Sequence, residues 1–159
     1  MNSIIKRSYP MFEMYQALRT QFMDILNDGD LSYSPGGGNL ALGGLCLEIG
    51  EIERSYINSF QTFTQDFNYR NQEPGLSGSV AKLKAWYKEL DSELKSALSD
   101  LTEEDINSRV IDRGPDFQVS PPYQLEIYKE ALLIFYGKSS VYLKAMGKER
   151  PQQWQDWIS

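Results

Sequence analysis

Two carboxylates, Glu48 and Glu53, are the side chains whose spacing most invites chemistry. On a helical wheel of Leu40 to Phe67 centred on Ile49, Leu42, Leu45, Cys46, Ile52, Tyr56, Phe60, Phe63 and Phe67 share one side. Glu53 falls inside that stripe and Glu48 at its border. A carboxylate in an apolar stripe needs a partner, because an isolated buried one resists ionisation. Glu53 therefore reads first as a structural acid bonded to a tyrosine hydroxyl, a cation or a backbone group, and second as an acid or base in a pocket. Glu48 reads as a partly exposed acid. The pair could also contribute to a hard-cation site, although Glu51 projects to the opposite face of the helix.

The remaining chemical inventory is short. The chain has no histidine, which removes Ser-His-Asp and Cys-His nucleophile pairs, histidine-ligated metals and an unperturbed proton shuttle near neutral pH. Its single cysteine, Cys46, lies on the apolar stripe and reads as a core residue; it excludes an internal disulfide and fits a reducing compartment. Tyr15, Tyr56, Tyr87, Tyr128 and Tyr142 recur on apolar helix faces, as core rings or as hydroxyls lining a polar pocket. Gly36-Gly37-Gly38 lacks both the GxxxxGK[ST] pattern and a preceding strand, which argues against a phosphate loop.

The elements that must position these residues follow from breakers and periodicity. Residues 10 to 27 predict a first helix with Pro10 in an early position and Met11, Met14, Tyr15, Leu18, Phe22 and Ile25 on one stripe. Leu31 to Asn39 predicts a loop, with Asn39 capping the second helix, which runs to about Tyr69. Asn71 to Gly78 breaks the chain, and Ser79 caps a third helix with Val80, Leu83, Tyr87, Leu90, Leu94, Leu98 and Leu101 inward. Leu101 to Tyr123 is irregular, with a short capped turn at Thr102 and two extended pieces around Gly114-Pro115. Ser120-Pro121-Pro122 opens a fourth helix presenting Leu125, Tyr128, Ala131, Leu132, Phe135, Ser139, Tyr142, Leu143 and Met146, which ends at Gly147. The tail from Gln152 to Ser159 carries Trp154 and Trp157, spaced to dock as a last amphipathic turn.

Four apolar stripes in one chain of this length predict a single all-α domain over residues 1–159, a four-helix bundle with an irregular connection between its third and fourth helices. Periodicity leaves open whether the first two helices are neighbours or joined by a crossover. A formal net charge of −6 and a pI near 4.7 argue against nucleic acid as a partner. No apolar run approaches the roughly 18 residues of a membrane helix, so a soluble, cytoplasmic protein is expected.

Two segments resemble the DinB-like family of helical bundles. Glu48-Ile49-Gly50-Glu51-Ile52-Glu53-Arg54-Ser55-Tyr56 is similar to that family's H-x-x-x-x-E helix. Phe135-Tyr136-Gly137-Lys138 and the later Tyr142-Leu143-Lys144-Ala145-Met146-Gly147 are similar to its H-x-x-x-H-R-G-Q segment and Y-L-R-A-L-G ending. Helix order and length agree over the whole chain, while recognisable motif letters are confined to these segments. The resemblance implies a divalent metal held by three histidines, one on the second helix and two on the fourth, in thiol transferases or related metal-dependent enzymes. Here Glu48 stands at the first ligand position and Ala131 and Phe135 at the other two, while Glu53 and Gly137 keep the family letter.

The resulting expectation is a DinB-like protein with a degenerate metal site and no cofactor. It would be a small-molecule binding or interaction protein and a homodimer, with a remnant cavity formed by Glu48, Glu53, Tyr56, Tyr128, Ala131 and Phe135. The alternative is an enzyme of the thiol transferase or metal-dependent hydrolase type, working with a carboxylate-based metal site or with none. A third reading is a structural paralogue whose cavity is filled by its own aromatic rings.

Overall fold

Glycine, proline and capping residues set most of the element boundaries in the computed structural model, which describes residues 1–158. Ser159, the last residue of the expected domain and tail, lies outside the described residues. The first helix, α1 (Tyr9–Asp24), takes Pro10 in its first turn and is preceded by a π-helical turn at Ile4–Ser8. The second, α2, spans Leu42–Thr62 and the third, α3, Val80–Asp100. A short α4 (Glu103–Ser108) begins at a Thr102–Asp105 capping box. Strands β1 (Ile111–Asp112) and β2 (Gln118–Val119) pair antiparallel across the Gly114-Pro115 turn. Then α5 (Pro121–Ala145) carries two prolines in its first turn, and α6 (Gln152–Trp157) closes the chain onto the bundle. Among the described residues no helix is long and apolar enough to cross a membrane.

Three local expectations need correction. Asn39 does not cap α2: its side-chain amide donates to the carbonyl of Gly36 and closes the glycine loop, so the helix starts beyond it behind Ala41. Helix α2 stops at Thr62 rather than near Tyr69. Phe63 turns left-handed at φ 59°, and the following backbone pairs with β1 through Asp112 N to Phe63 O and Gln65 N to Asp112 O. Tertiary pairing thus captures the residues whose periodicity suggested two more helical turns, leaving Phe67 exposed and Phe63 half-buried. On α1, Met11 and Met14 face solvent, whereas Phe12, Gln16, Leu18, Arg19, Phe22 and Met23 are buried. Two polar residues on the inward face disguised that stripe.

Side-chain pairs fix the arrangement of the four long helices. Glu13–Lys95 and Asp24–Lys84 make α1 antiparallel to α3. Leu40–Tyr142 and Tyr56–Tyr128 make α2 antiparallel to α5. The register Cys46–Tyr87 and Arg54–Glu93 runs α2 parallel to α3, and Phe12–Tyr128 and Phe22–Phe135 run α1 parallel to α5. With the principal contacts lying between these pairs, α1 and α2 occupy one diagonal of the bundle and α3 and α5 the other. The first connection is therefore a crossover. Because α2 and α3 are parallel neighbours, the chain between them must run back along the bundle, and the main-chain N–H of Asn71 holds it to Glu51 on α2 at 2.9 Å.

The α2–α3 contact is close enough to require a glycine. A Cβ at Gly50 would enter the ring of Trp86, which is itself buried and stacked on Tyr87. The Gly50→Ala variant should lose about 1–3 kcal/mol, as overpacked cores do, because a buried indole has little room to move. Urea denaturation of the two proteins checks this; an unchanged midpoint would mean that the ring yields freely.

Candidate functional site

The bundle centre is polar. Arg19 of α1, buried to 1% exposure, donates Nη1 to Glu53 Oε2 on α2 and Nη2 to Asp91 Oδ1 on α3, the latter at 2.7 Å. Its guanidinium lies 4.0 Å from the centre of the Tyr87 ring. Gln16 Nε2 donates to the same Asp91 oxygen at 2.6 Å and reaches Glu53 Oε1 at 3.5 Å, and the Tyr9 hydroxyl donates to Gln16 Oε1 at 3.2 Å. Tyr128 of α5 stacks on Tyr56; its hydroxyl feels the Glu53 charge but makes no well-formed hydrogen bond. Only Asp91, 31% exposed, carries this network to the surface between α1 and α3.

Burial and the facing charges together set the ionisation of these groups. Glu53 is fully enclosed, which pushes its carboxyl up to about 7; Arg19 pulls the other way, and the nearby Asp91 charge raises it again. Burial alone would lower Arg19, yet the two carboxylates hold it well above its ordinary value. Cys46 is pushed up to about 12, chiefly by burial, which leaves a thiol with no thiolate character at neutral pH.

A second site lies at the interface of α2 and α5. Leu45, Glu48, Ile49 and Ile52 of α2 and Ala131, Ile134, Phe135 and Lys138 of α5 surround a half-open pocket of about 160 Å³. Glu48 and Ile52 also line a shallower groove of about 480 Å³ that continues over Leu40, Leu47, Glu51 and Phe67. The returning chain supplies the far wall of this groove through Phe67 and Arg70. Phe135 is almost wholly buried, its ring edge against Phe22, so it floors the pocket rather than entering it.

The six residues expected around one cavity divide between these two places. Glu48, Ala131 and Phe135 converge on the α2/α5 pocket, whereas Glu53, Tyr56 and Tyr128 lie in the core and line neither the pocket nor the groove. Glu51, expected on the opposite face, shares the groove with Glu48 and accepts from Asn71 N–H. The inward tyrosines do not form a common polar pocket. The hydroxyls of Tyr87 and Tyr142 donate to the carbonyls of Cys46 and Leu40, which consumes them in main-chain contacts. Of the three positions that the resemblance would equip with metal ligands, only Glu48 carries a donor; Ala131 and Phe135 present hydrocarbon. Among the described residues no three His, Cys, Asp or Glu side chains are grouped to hold a metal. The donor set therefore does not fit the divalent ion of that family.

Arg19 and Asp91 were not legible as site residues. An arginine spaced one turn from Tyr15, Phe22 and Met23 on α1 was the available signal, and the buried acid on α2 required a cation somewhere. Lys138 likewise became visible only when α5 was placed against α2.

Comparison with solved structures adds the fold. A DinB-like protein from Bacillus cereus aligns with a TM-score of 0.74 at 16% identity, over 90% of this chain and 93% of that one. A DinB-like protein from Bacillus subtilis aligns with a TM-score of 0.67 at 19% identity, over 86% of this chain and 90% of the other. No family model and no curated protein matches the sequence.

The raised Glu53 carboxyl makes folding pH-dependent with a definite sign. Between its ordinary value of 4.5 and about 7 the folded state binds more protons at this group than the unfolded chain does, so its contribution is greatest below pH 4.5 and is lost as pH rises to about 7. A Glu53→Gln variant lacks that contribution. Its stability relative to the wild type should rise steadily across this window, measured by urea unfolding at several pH values; a constant difference would show that Glu53 ionises normally.

Proposed function

We propose that this chain, which has the DinB-like fold, is a metal-independent binding protein that takes a small ligand into the α2/α5 pocket. One observation carries the reading. Glu48, Ala131 and Phe135, drawn from two helices, converge on one concave site with hydrocarbon walls and a carboxylate at its mouth. An apolar cavity with few polar groups is the usual form of a small-molecule site, and here the polar groups are too few to hold a metal.

Two measurements test it. Protein purified without chelator should contain far less than one equivalent of metal, and its thermal midpoint should not move with added zinc, nickel or manganese. Stoichiometric metal, or a rise in the midpoint, overturns metal independence, since a ligand of the folded state stabilises it. In amide NMR spectra, added benzene should shift Leu45, Ile49 and Ala131 in the wild type and leave an Ala131→Phe variant, whose single ring fills the pocket, unchanged.

A second reading, self-association as a homodimer, is supported by the apolar side chains that surround the site. Leu40, Phe67, Ile134 and Val141 are 50%, 46%, 61% and 59% exposed, and apolar surface gathered on one face suits a protein contact. Light scattering at micromolar concentration should give twice the chain mass; a monomer refutes this reading.

A further inference from the structure

The pocket also specifies the chemistry of its occupant. Its volume of about 160 Å³ is close to that of a dry cavity of ~150 Å³ that accepts a benzene ring. It therefore holds one branched aliphatic or single-ring group, enclosed by Leu45, Ile49, Ile52, Ala131, Ile134 and Phe135. An indole is too large for it.

Two opposite charges stand at the rim. Glu48 comes from α2 and Lys138 from α5, both are exposed, and among the described residues neither makes an ion pair or a hydrogen bond with the protein. The other two charges of the adjoining groove are already engaged, Glu51 by the Asn71 N–H and by Arg70 at 3.9 Å. Free charges of both signs at the mouth of an apolar pocket complement a ligand with one apolar group and both an ammonium and a carboxylate. A net charge of −6 on the chain gives a free anion no long-range attraction.

We propose that the α2/α5 pocket binds an apolar α-amino acid, its side chain between Ile49, Ala131 and Phe135, its ammonium on Glu48 and its carboxylate on Lys138. This rests on the pocket reading above and narrows it to one ligand class. The groove continuing past Glu48 over Leu47 and Ile52 leaves room beside the ammonium, so a substituent on nitrogen is accommodated there.

A titration followed by amide NMR separates the contributions. The probes are leucine, 3-methylbutylamine with the ammonium alone, 4-methylpentanoate with the carboxylate alone, the neutral 4-methylpentan-1-ol, and glycine. Leucine should bind at least tenfold more tightly than the alcohol or glycine, with the two singly charged probes between, and tryptophan should not shift the pocket amides. In Glu48→Gln, leucine should fall to the affinity of 4-methylpentanoate, whose own binding stays unchanged; Lys138→Gln should do the same toward 3-methylbutylamine. Both side chains are exposed, so these variants leave the fold intact. If the alcohol binds as tightly as leucine, the amino-acid inference fails while the pocket reading stands. If no probe, the alcohol included, shifts Leu45, Ile49 or Ala131, the pocket reading fails and the inference with it.

Discussion

The buried pairing of Arg19 with Glu53 is the constraint to which the rest of the bundle is fitted. It spans the diagonal between α1 and α2, helices that otherwise touch little, and Asp91 of α3 and Tyr128 of α5 complete its surroundings. Buried charges of this kind are expensive to remove from water and add little net stability when paired, but an unmatched one is worse. Hydrocarbon tolerates many packings, whereas a guanidinium that must meet two carboxylates tolerates few. The cluster therefore discriminates against helix registers that the apolar stripes alone would allow, and the burial that it imposes, with the Asp91 charge adding to it against the pull of Arg19, is why Glu53 holds its proton to higher pH.

Much of the fold was legible because local chemistry and tertiary structure agree. Pro10, Ser79, Ser120-Pro121-Pro122 and Gly147 mark helix ends near those observed, and the Gly114-Pro115 turn marks the hairpin. Glu53 announced itself as an acid that needs a partner. What could not be read had non-local causes. Helix α2 ends at Phe63 because β1 captures its backbone, and nothing within the α2 sequence records that competition. The inward face of α1 includes Gln16 and Arg19, residues that look like surface until the acid on another helix is known. Residues 48, 131 and 135 were brought together on paper by resemblance and in space by the antiparallel α2–α5 contact, while Glu53, only five residues beyond Glu48, faces a different interior.

That separation bears on how the two regions relate. Glu48 and Glu53 differ by more than one turn of α2, enough to direct one toward α5 and solvent and the other toward Arg19. The polar cluster fixes the register of the frame, and the pocket is left with hydrocarbon and two rim charges. A cleft walled by the methyl of Ala131 and the ring of Phe135 favours apolar occupants over a cation.

The order of the helices has a consequence for how the chain folds. No two consecutive long helices form an antiparallel hairpin: α1 and α2 are diagonal, α2 and α3 parallel, and α3 and α5 diagonal. Every antiparallel contact therefore joins segments separated by another helix. Such a chain has no antiparallel two-helix hairpin to collapse first, and even its consecutive α2–α3 pair must close the long return between the two helices before its contacts form. It should fold more slowly than an up-and-down bundle of equal length, with Arg19 and Glu53 exposed to water until α1 and α2 have both found the helices between them.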